Sequence, residues 1–258
     1  MNYDVTVHEV KETDSTNSLA KKLASEGAKN LTLIWAHQQS GGRGRYGRDW
    51  IGYEGNVFWS MILRPRTDWP RLSGLSHVAA LAVHATISSF VDKGKEVQIK
   101  WPNDVLVNRK KISGILLEAN LSTANSPRLE TENLPRDWVV VGIGINVTHF
   151  PTKISYPATS LHAEGALNSD RDRVMVKLTG NFVAELERYL AQGSTYLRDQ
   201  LLPRMIGLGD EIIVRMSDHS DDDIIGVFNG MDEEGCLIVA TDKGSLRAVS
   251  TGDVFFGS

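Results

Sequence analysis

Hydrophobic positions follow two regimes along this chain. Before about residue 205 they form long blocks, some at helical spacing and some unbroken. After it they fall into short segments about ten residues apart. In the first regime, Leu19, Ala20, Leu23 and Ala24 recur with helical spacing behind Ser15-Thr16-Asn17, and Gly27 follows as a stop, which predicts a short capped helix. Residues 76–91, rich in Ala, Leu, Val and Ile, and the amphipathic 171–190 predict two longer helices. Val57-Phe58-Trp59-Ser60-Met61-Ile62-Leu63 is a β-rich run ended by Pro65, a buried strand. Further strands are predicted at 31–35, at 96–101 and 104–107 around the turn Pro102-Asn103, at 112–118 and at 138–146. Residues 38–48 and 121–136 read as loops. Long helices among many strands indicate an α/β or α+β layered architecture.

The second regime has strands at 211–216, 224–229, 235–241 and 245–250, separated by Asp232-Glu233-Glu234-Gly235 and Asp242-Lys243-Gly244. That is a small all-β module, read as a five-stranded barrel. Pro203, Gly207 and Gly209 mark the junction, so two domains are expected, 1–205 and 206–258. Charge follows the same division. From Ile206 onward there are 11 acids and 3 Lys/Arg, net -8, which leaves 21 acids and 25 Lys/Arg before it, net +4.

A hydrophobic fraction of 41% and a charged fraction of 23% are those of an ordinary globular protein. A net charge of -4 argues against general nucleic-acid binding. The lone Cys236 excludes internal disulfides and fits a reducing cytoplasm. The N-terminus lacks the pattern of a signal peptide, and no run approaches a membrane span. His77 and His84 share a helical face with no third ligand in reach, and read as packing or surface residues. The acidic run 218–223 reads as a solvated loop.

Gly42-Arg43-Gly44-Arg45-Tyr46-Gly47-Arg48 puts three guanidiniums and three glycines in seven residues without an acid. Arginine offers forked donors suited to phosphate and carboxylate oxygens, and glycine lets backbone N–H groups approach a ligand. The stretch reads as an anion-wrapping loop or, alternatively, as a solvated basic loop. Three other segments carry candidate chemistry: Asp14-Ser15-Thr16-Asn17 at a helix start, Lys100-Trp101-Pro102-Asn103-Asp104 with Lys110-Lys111-Ile112-Ser113-Gly114 behind it, and Gly142-Ile143-Gly144-Ile145-Asn146 at a strand end. Taken singly they also read as an N-cap, a charged hairpin tip, and glycines where backbones touch.

Together and in this order, these segments resemble the signatures of the biotin protein ligases, the biotin–[acetyl-CoA-carboxylase] ligase family: Gly-Arg-Gly-Arg-x-Gly-Arg, Lys-Trp-Pro-Asn-Asp, Lys-x-x-Gly-Ile-Leu and Gly-x-Gly-Ile-Asn. The resemblance implies an α+β fold, a mixed-sheet catalytic domain of the biotin/lipoate ligase type followed by a small SH3-like β-barrel. It also implies the short form of the family, without the N-terminal DNA-binding repressor domain, because Ser15-Thr16-Asn17 lies so near the start. The implied substrates are biotin and ATP with Mg²⁺, without a dedicated metal cage. The implied partner is the biotin carboxyl carrier domain of a carboxylase. No DNA or membrane is involved, and a cytoplasmic homodimer is expected.

Carried over by position, the resemblance assigns Ser15, Thr16, Asn17, Gln39 and Gly114 to biotin. Arg43, Gly44 and Arg45 become a cover over biotin and the adenylate. Arg48 becomes the phosphate-binding arginine and Trp50 a neighbour of the nucleotide. Asn103, Asp104 and Asn146 become adenylate contacts, and Lys100 a phosphate or structural partner. Lys111, bridging the biotin carboxylate and the α-phosphate, is the foremost catalytic candidate beside Arg48. Ser40-Gly41-Gly42 departs from the family's usual residues before the first loop arginine, which predicts a more flexible loop. Three rivals stand beside this reading, of which a catalytically dead biotin sensor is opposed by the retained Lys111 and Arg48. A lipoate-type ligase shares the fold but would carry its own Arg-Arg-x-Ser-Gly-Gly-Gly stretch, and an RNA-binding Arg/Gly module would repeat the box.

Overall fold

The computed structural model describes residues 4–121, 137–154, 156–216, 222–241 and 244–256. The predicted loop at 122–136 and most of the acidic run, residues 218–221, lie outside the described residues. The chain opens with β1 (Thr6–Thr13), α1 (Thr16–Ser25) and β2 (Thr32–Gln39). β1 pairs with β2 in parallel, Thr6 opposite Thr32, so α1 is the crossover of a β-α-β unit. The short β3 (Gly42–Arg43) and β4 (Asp49–Trp50) follow β2, and the remaining strands of this sheet are β5 (Val57–Leu63), β6 (Val97–Lys100), β7 (Asp104–Val107), β8 (Lys110–Asn120) and β9 (Trp138–Ile145). The seven-stranded order is β1-β2-β5-β9-β8-β7-β6, a mixed sheet.

Alternation along the central strands explains how the sheet is covered. Val57, Trp59, Met61 and Leu63 of β5 join one core cluster with Val139, Val141, Ile143 and Ile145 of β9. The helices α2 (Gly74–Ser88) and α3 (Arg171–Leu201) cover that face. Trp59 meets Phe182 of α3 at 4.9 Å between ring centroids and donates its Nε1–H to Thr179 Oγ1 at 3.0 Å. The opposite face belongs to α1, where Ala20 and Ala24 pack on Ile34, Ile62, Trp138 and Val140. Further along that second face the side chains become Phe58 and Ser60 on β5 and Gly142 and Gly144 on β9, and apolar cover gives way to a cleft.

After α3, β10 (Glu211–Arg215), β11 (Ile224–Met231), β12 (Leu237–Ala240), β13 (Leu246–Val249) and β14 (Asp253–Phe256) form a five-stranded antiparallel sheet, order β13-β12-β11-β10-β14. It packs against the larger unit: Ile206 N donates to Ile99 O at 3.0 Å, and Trp101 Nε1 donates to Gly235 O at 3.1 Å.

The short β3, β4 and β14 were not among the expected strands, and two larger elements also differ from the sequence reading. β1 went unseen because Thr-Val-His-Glu-Val-Lys-Glu-Thr is an edge strand whose residues are mostly exposed, so it lacks apolar alternation. α3 continues eleven residues past the expected 190, through Gly193 at φ 73°, ψ -161°, where the helix is interrupted without ending.

His77 lies on α2, 6% exposed, and a Cβ added to Gly235 on the β11–β12 turn would sit 2.4 Å from its Cε1. Burial pushes its pKa down from 6.5 to about 4. Between those values the unfolded chain binds a proton that the folded chain refuses. Stability therefore falls as pH drops from about 6.5 toward 4, by up to about 3 kcal/mol from this residue, and the contribution is intact above 6.5. Urea unfolding at pH 7 and pH 4.5 is expected to show a smaller acid loss in His77→Leu than in the parent.

Candidate active site

A cleft of about 750 Å³, counted to its open mouth, lies on the α1 face of the sheet where the strands carry glycine. Its deep end begins at the start of α1. Asp14 Oδ1 accepts from Ser15 N at 2.7 Å, and the Ser15 hydroxyl accepts from Ser18 N, capping the helix. The next free helix N–H, that of Thr16, donates to Gln39 Oε1 at 2.9 Å, so β2 and α1 are joined at the site. Ser60 Oγ sits 2.8 Å from Thr16 Oγ1 and 2.6 Å from Asn17 Oδ1. Asn17 Nδ2 in turn donates to Glu118 Oε2 at 2.9 Å. Burial raises the Glu118 pKa, but hydrogen bonds from Lys21 and Asn17 outweigh it and leave the carboxyl below its ordinary value. Each polar atom of this chain of contacts is oriented by the next.

The two glycines of β9 make this possible. A Cβ on Gly142 would lie 2.1 Å from Asn17 Oδ1, and one on Gly144 would lie 2.4 Å from Trp50 Cε2. Side-chain-free backbone is what lets the amide and the indole lie against the sheet. The indole Nε1–H of Trp50 is buried and has no acceptor among the described residues.

The basic loop is a small ribbon. β3 and β4 pair Gly42 with Trp50 and Arg43 with Asp49, and between them Arg45–Gly47 form a 3-10 turn with Tyr46 in the left-handed region at φ 56°. The ribbon is anchored on the C-terminal sheet. Arg48 makes a forked contact with Asp253, Nη2 to Oδ1 at 3.1 Å and Nη1 to Oδ2 at 3.0 Å. Arg45 donates to Gly252 O and Thr251 Oγ1, both at 3.1 Å, and the Tyr46 hydroxyl reaches the same Thr251 at 2.9 Å. Arg43 turns the other way and donates to Ser18 Oγ of α1 at 2.7 Å. On the far wall Lys111 Nζ lies 2.8 Å from Asp104 Oδ1, 5.8 Å from the Trp50 ring centre and 5.2 Å from that of Tyr156.

Of the predicted site residues, Ser15, Thr16, Asn17, Gln39, Arg43, Gly44, Arg45, Arg48, Trp50, Asn103, Asp104, Lys111 and Gly114 all line this one cleft. Two do not. Asn146 is 4% exposed and its amide is committed to the fold, donating to Thr159 O at 3.0 Å, so it acts as an internal strut. Lys100 sits beneath the wall, 5.5 Å from the Phe255 ring and 5.9 Å from that of Phe256. Burial lowers its pKa, and Asp104 offsets part of that. Sequence reasoning missed Ser60, Glu118, Tyr156 and Asp253. Ser60 left a signal, as the one polar residue inside an apolar strand. Asp253 left none, standing 205 residues from Arg48.

Known proteins share this arrangement of sequence and fold. The family described as the Biotin/lipoate A/B protein ligase family matches residues 9–126, and the Biotin protein ligase C terminal domain matches residues 207–257. The biotin–[acetyl-CoA-carboxylase] ligase of Paracoccus denitrificans is 34% identical over 254 residues, 95% of this chain and 98% of that protein. The chain belongs to the biotin protein ligase family. The bifunctional ligase/repressor BirA of Bacillus subtilis is 33% identical over 94% of this chain and 71% of its own length. The biotin protein ligase of Aquifex aeolicus, solved in complex with biotin and ATP, superimposes with a TM-score of 0.79 at 27% identity, over 98% of each chain.

Three outcomes are expected from this structure. Gly144→Ala drives a methyl into the Trp50 indole and should cost about 1–3 kcal/mol in denaturant unfolding. Gly180→Ala on α3, which would meet nothing within 4 Å, should gain about 0.5–1 kcal/mol. Asp253→Ala removes the forked partner of a half-exposed Arg48, worth roughly 1 kcal/mol, so tryptic cleavage within 43–48 should speed up about fivefold in limited proteolysis.

Proposed function

We propose that this chain joins biotin to protein in two steps. A carboxylate oxygen of biotin attacks the α-phosphorus of ATP, forming biotinyl-5'-AMP and expelling pyrophosphate. The amine of a lysine on a biotin carboxyl carrier domain then attacks the acyl carbon, loses a proton and releases AMP. The observation that carries this reading is the convergence of thirteen motif residues from four separate stretches of sequence on one cleft. The family membership and the biotin and ATP bound by the Aquifex relative support it.

In this reading the oriented polar chain of Ser15, Thr16, Asn17 and Gln39 receives the polar ring of biotin, and Gly114 admits it close to the backbone. Two anions must then approach each other, and the cleft supplies cations where their charge meets. Lys111 stands between the carboxylate and the α-phosphate after leaving Asp104. Arg48 and Arg45 exchange Asp253 and its neighbours for phosphate oxygens, and Arg43 closes from the α1 side. Trp50 gives the nucleotide an apolar wall, with Asn103 beside it. Asp104, freed of Lys111, lies ready for the incoming amine. The ribbon of Gly42 to Arg48 keeps water from the labile anhydride. Mg²⁺ would be held by the ATP phosphates in this scheme, and no step here runs through the ion.

Residues 1–205 form the catalytic unit and 206–258 its C-terminal module. The protein acts without DNA or membrane, as a cytoplasmic homodimer. A lipoate-type ligase shares the first family match, whereas the second is to the biotin ligase C-terminal domain.

Mass spectrometry of a biotin carboxyl carrier domain incubated with the protein, biotin and MgATP should show one biotinyl group on one lysine. An unmodified carrier, or one modified only when lipoate replaces biotin, overturns the reading. Lys111→Ala should lower biotin-dependent ATP–pyrophosphate exchange on the order of 10²–10³-fold, with its circular dichroism unchanged.

A further inference from the structure

Glu164 is a carboxylate with 3% exposure, outside the cleft and outside every motif. Both its oxygens are saturated. Oε1 accepts from Thr159 Oγ1 at 2.7 Å and pairs with Lys110 at 2.5 Å, and Oε2 accepts from Lys95 at 3.0 Å and Asn108 at 3.2 Å. Burial alone would raise its pKa, but Lys110, Thr159 and Lys95 outweigh burial and hold it at about 2. A buried ion cluster of this kind is a poor source of stability, since apolar residues of equal volume commonly do as well. What it supplies is geometry. Its donors come from three places: the turn before β6, the β7–β8 hairpin, and the segment after β9.

That geometry bears on one side chain. Lys111 N donates to Pro157 O, and Thr159 N donates to Lys111 O, both at 2.9 Å, so the backbone of Lys111 is stitched to 157–159 on both sides. Asn146 holds the Thr159 carbonyl from behind. Lys110 and Lys111 are successive residues of one strand and point to opposite faces. With Lys110 held by Glu164, Lys111 is turned toward the cleft, where Tyr156 of the same stitched segment stands 5.2 Å away.

We propose that Glu164 is a positioning residue for Lys111: through Thr159 and Lys110 it fixes the register of β8 against 156–159 and so aims the lysine at the reacting anions. This rests on the ligase reading given above. It places the effect on the chemical step, because Ser15, Thr16, Asn17 and Gln39, whose polar atoms are assigned to the biotin ring, lie at the start of α1 and on β2, away from the Glu164 cluster, and Gly114 on β8 offers biotin only backbone.

The test is steady-state biotin-dependent ATP–pyrophosphate exchange by the parent and by Glu164→Gln, which keeps the side chain's size and an acceptor for Thr159 but loses the charge that holds Lys95 and Lys110. The expected result is a kcat about tenfold lower or more, with the KM for biotin within about twofold of the parent. Circular dichroism at the assay temperature reports folding. If Glu164→Gln is unfolded there, Thr159→Val, which cuts only the hydroxyl link, decides by the same split. An unchanged kcat, or a kcat loss accompanied by a matching rise in KM, overturns the positioning role. A parent protein without exchange overturns the ligase reading and this inference with it, so the two failures are distinguishable.

Discussion

Mutual repulsion among cations is the constraint on which this structure depends. Arg43, Arg45, Arg48 and Lys111 line one cleft, with Lys100 just beneath it. Partly desolvated like charges at such spacing would splay the loop or lower lysine pKa values. The fold answers with carboxylates at measured positions: Asp104 on Lys111, and Asp253 on Arg48 and Arg45. One comes from the strand beside Lys111, the other from the C-terminal sheet. The second placement gives the two units a shared electrostatic task beyond the apolar core they already share.

Room for the cleft is a matter of sheet alternation. The helix face of β5 and β9 is a continuous wall of Val, Trp, Met and Ile, and it sets the register firmly. With that register fixed, the opposite face must read Trp138, Val140, Gly142, Gly144 along β9, apolar beneath α1 and bare beyond it. Asn17 and Trp50 then lie directly on backbone. The hydrophobic pattern on one side of the sheet thus decides where the polar site opens on the other.

Much of this was legible in the sequence, and the residues show why. Buried strands and helices announce themselves by periodicity, so α1, α2, β5, β9 and the four short tail strands stood close to where expected. The motif residues met in one cleft because local chemistry, a capped helix start or an Arg/Gly ribbon, is written in neighbouring letters. Edge strand β1 was illegible because it buries too little to impose a pattern. Asn146 lies beside a glycine motif, but its packing neighbour Thr159 arrives from a later segment and claims its amide. Glu164 and Asp253 act entirely through residues distant in sequence, and a lone acid carries no mark of the partner it will meet.

The resting contacts of Arg48 have a thermodynamic consequence. Its half-exposed guanidinium is already forked onto a carboxylate of nearly the same geometry as a phosphate edge. An incoming phosphate therefore exchanges one anion for another at this arginine, and the heat and counterion release credited to a new ion pair largely cancel. Recognition at this end of the cleft is set by competition with Asp253, so the affinity it yields is capped while its selectivity for a doubly charged group over a singly charged one is sharpened.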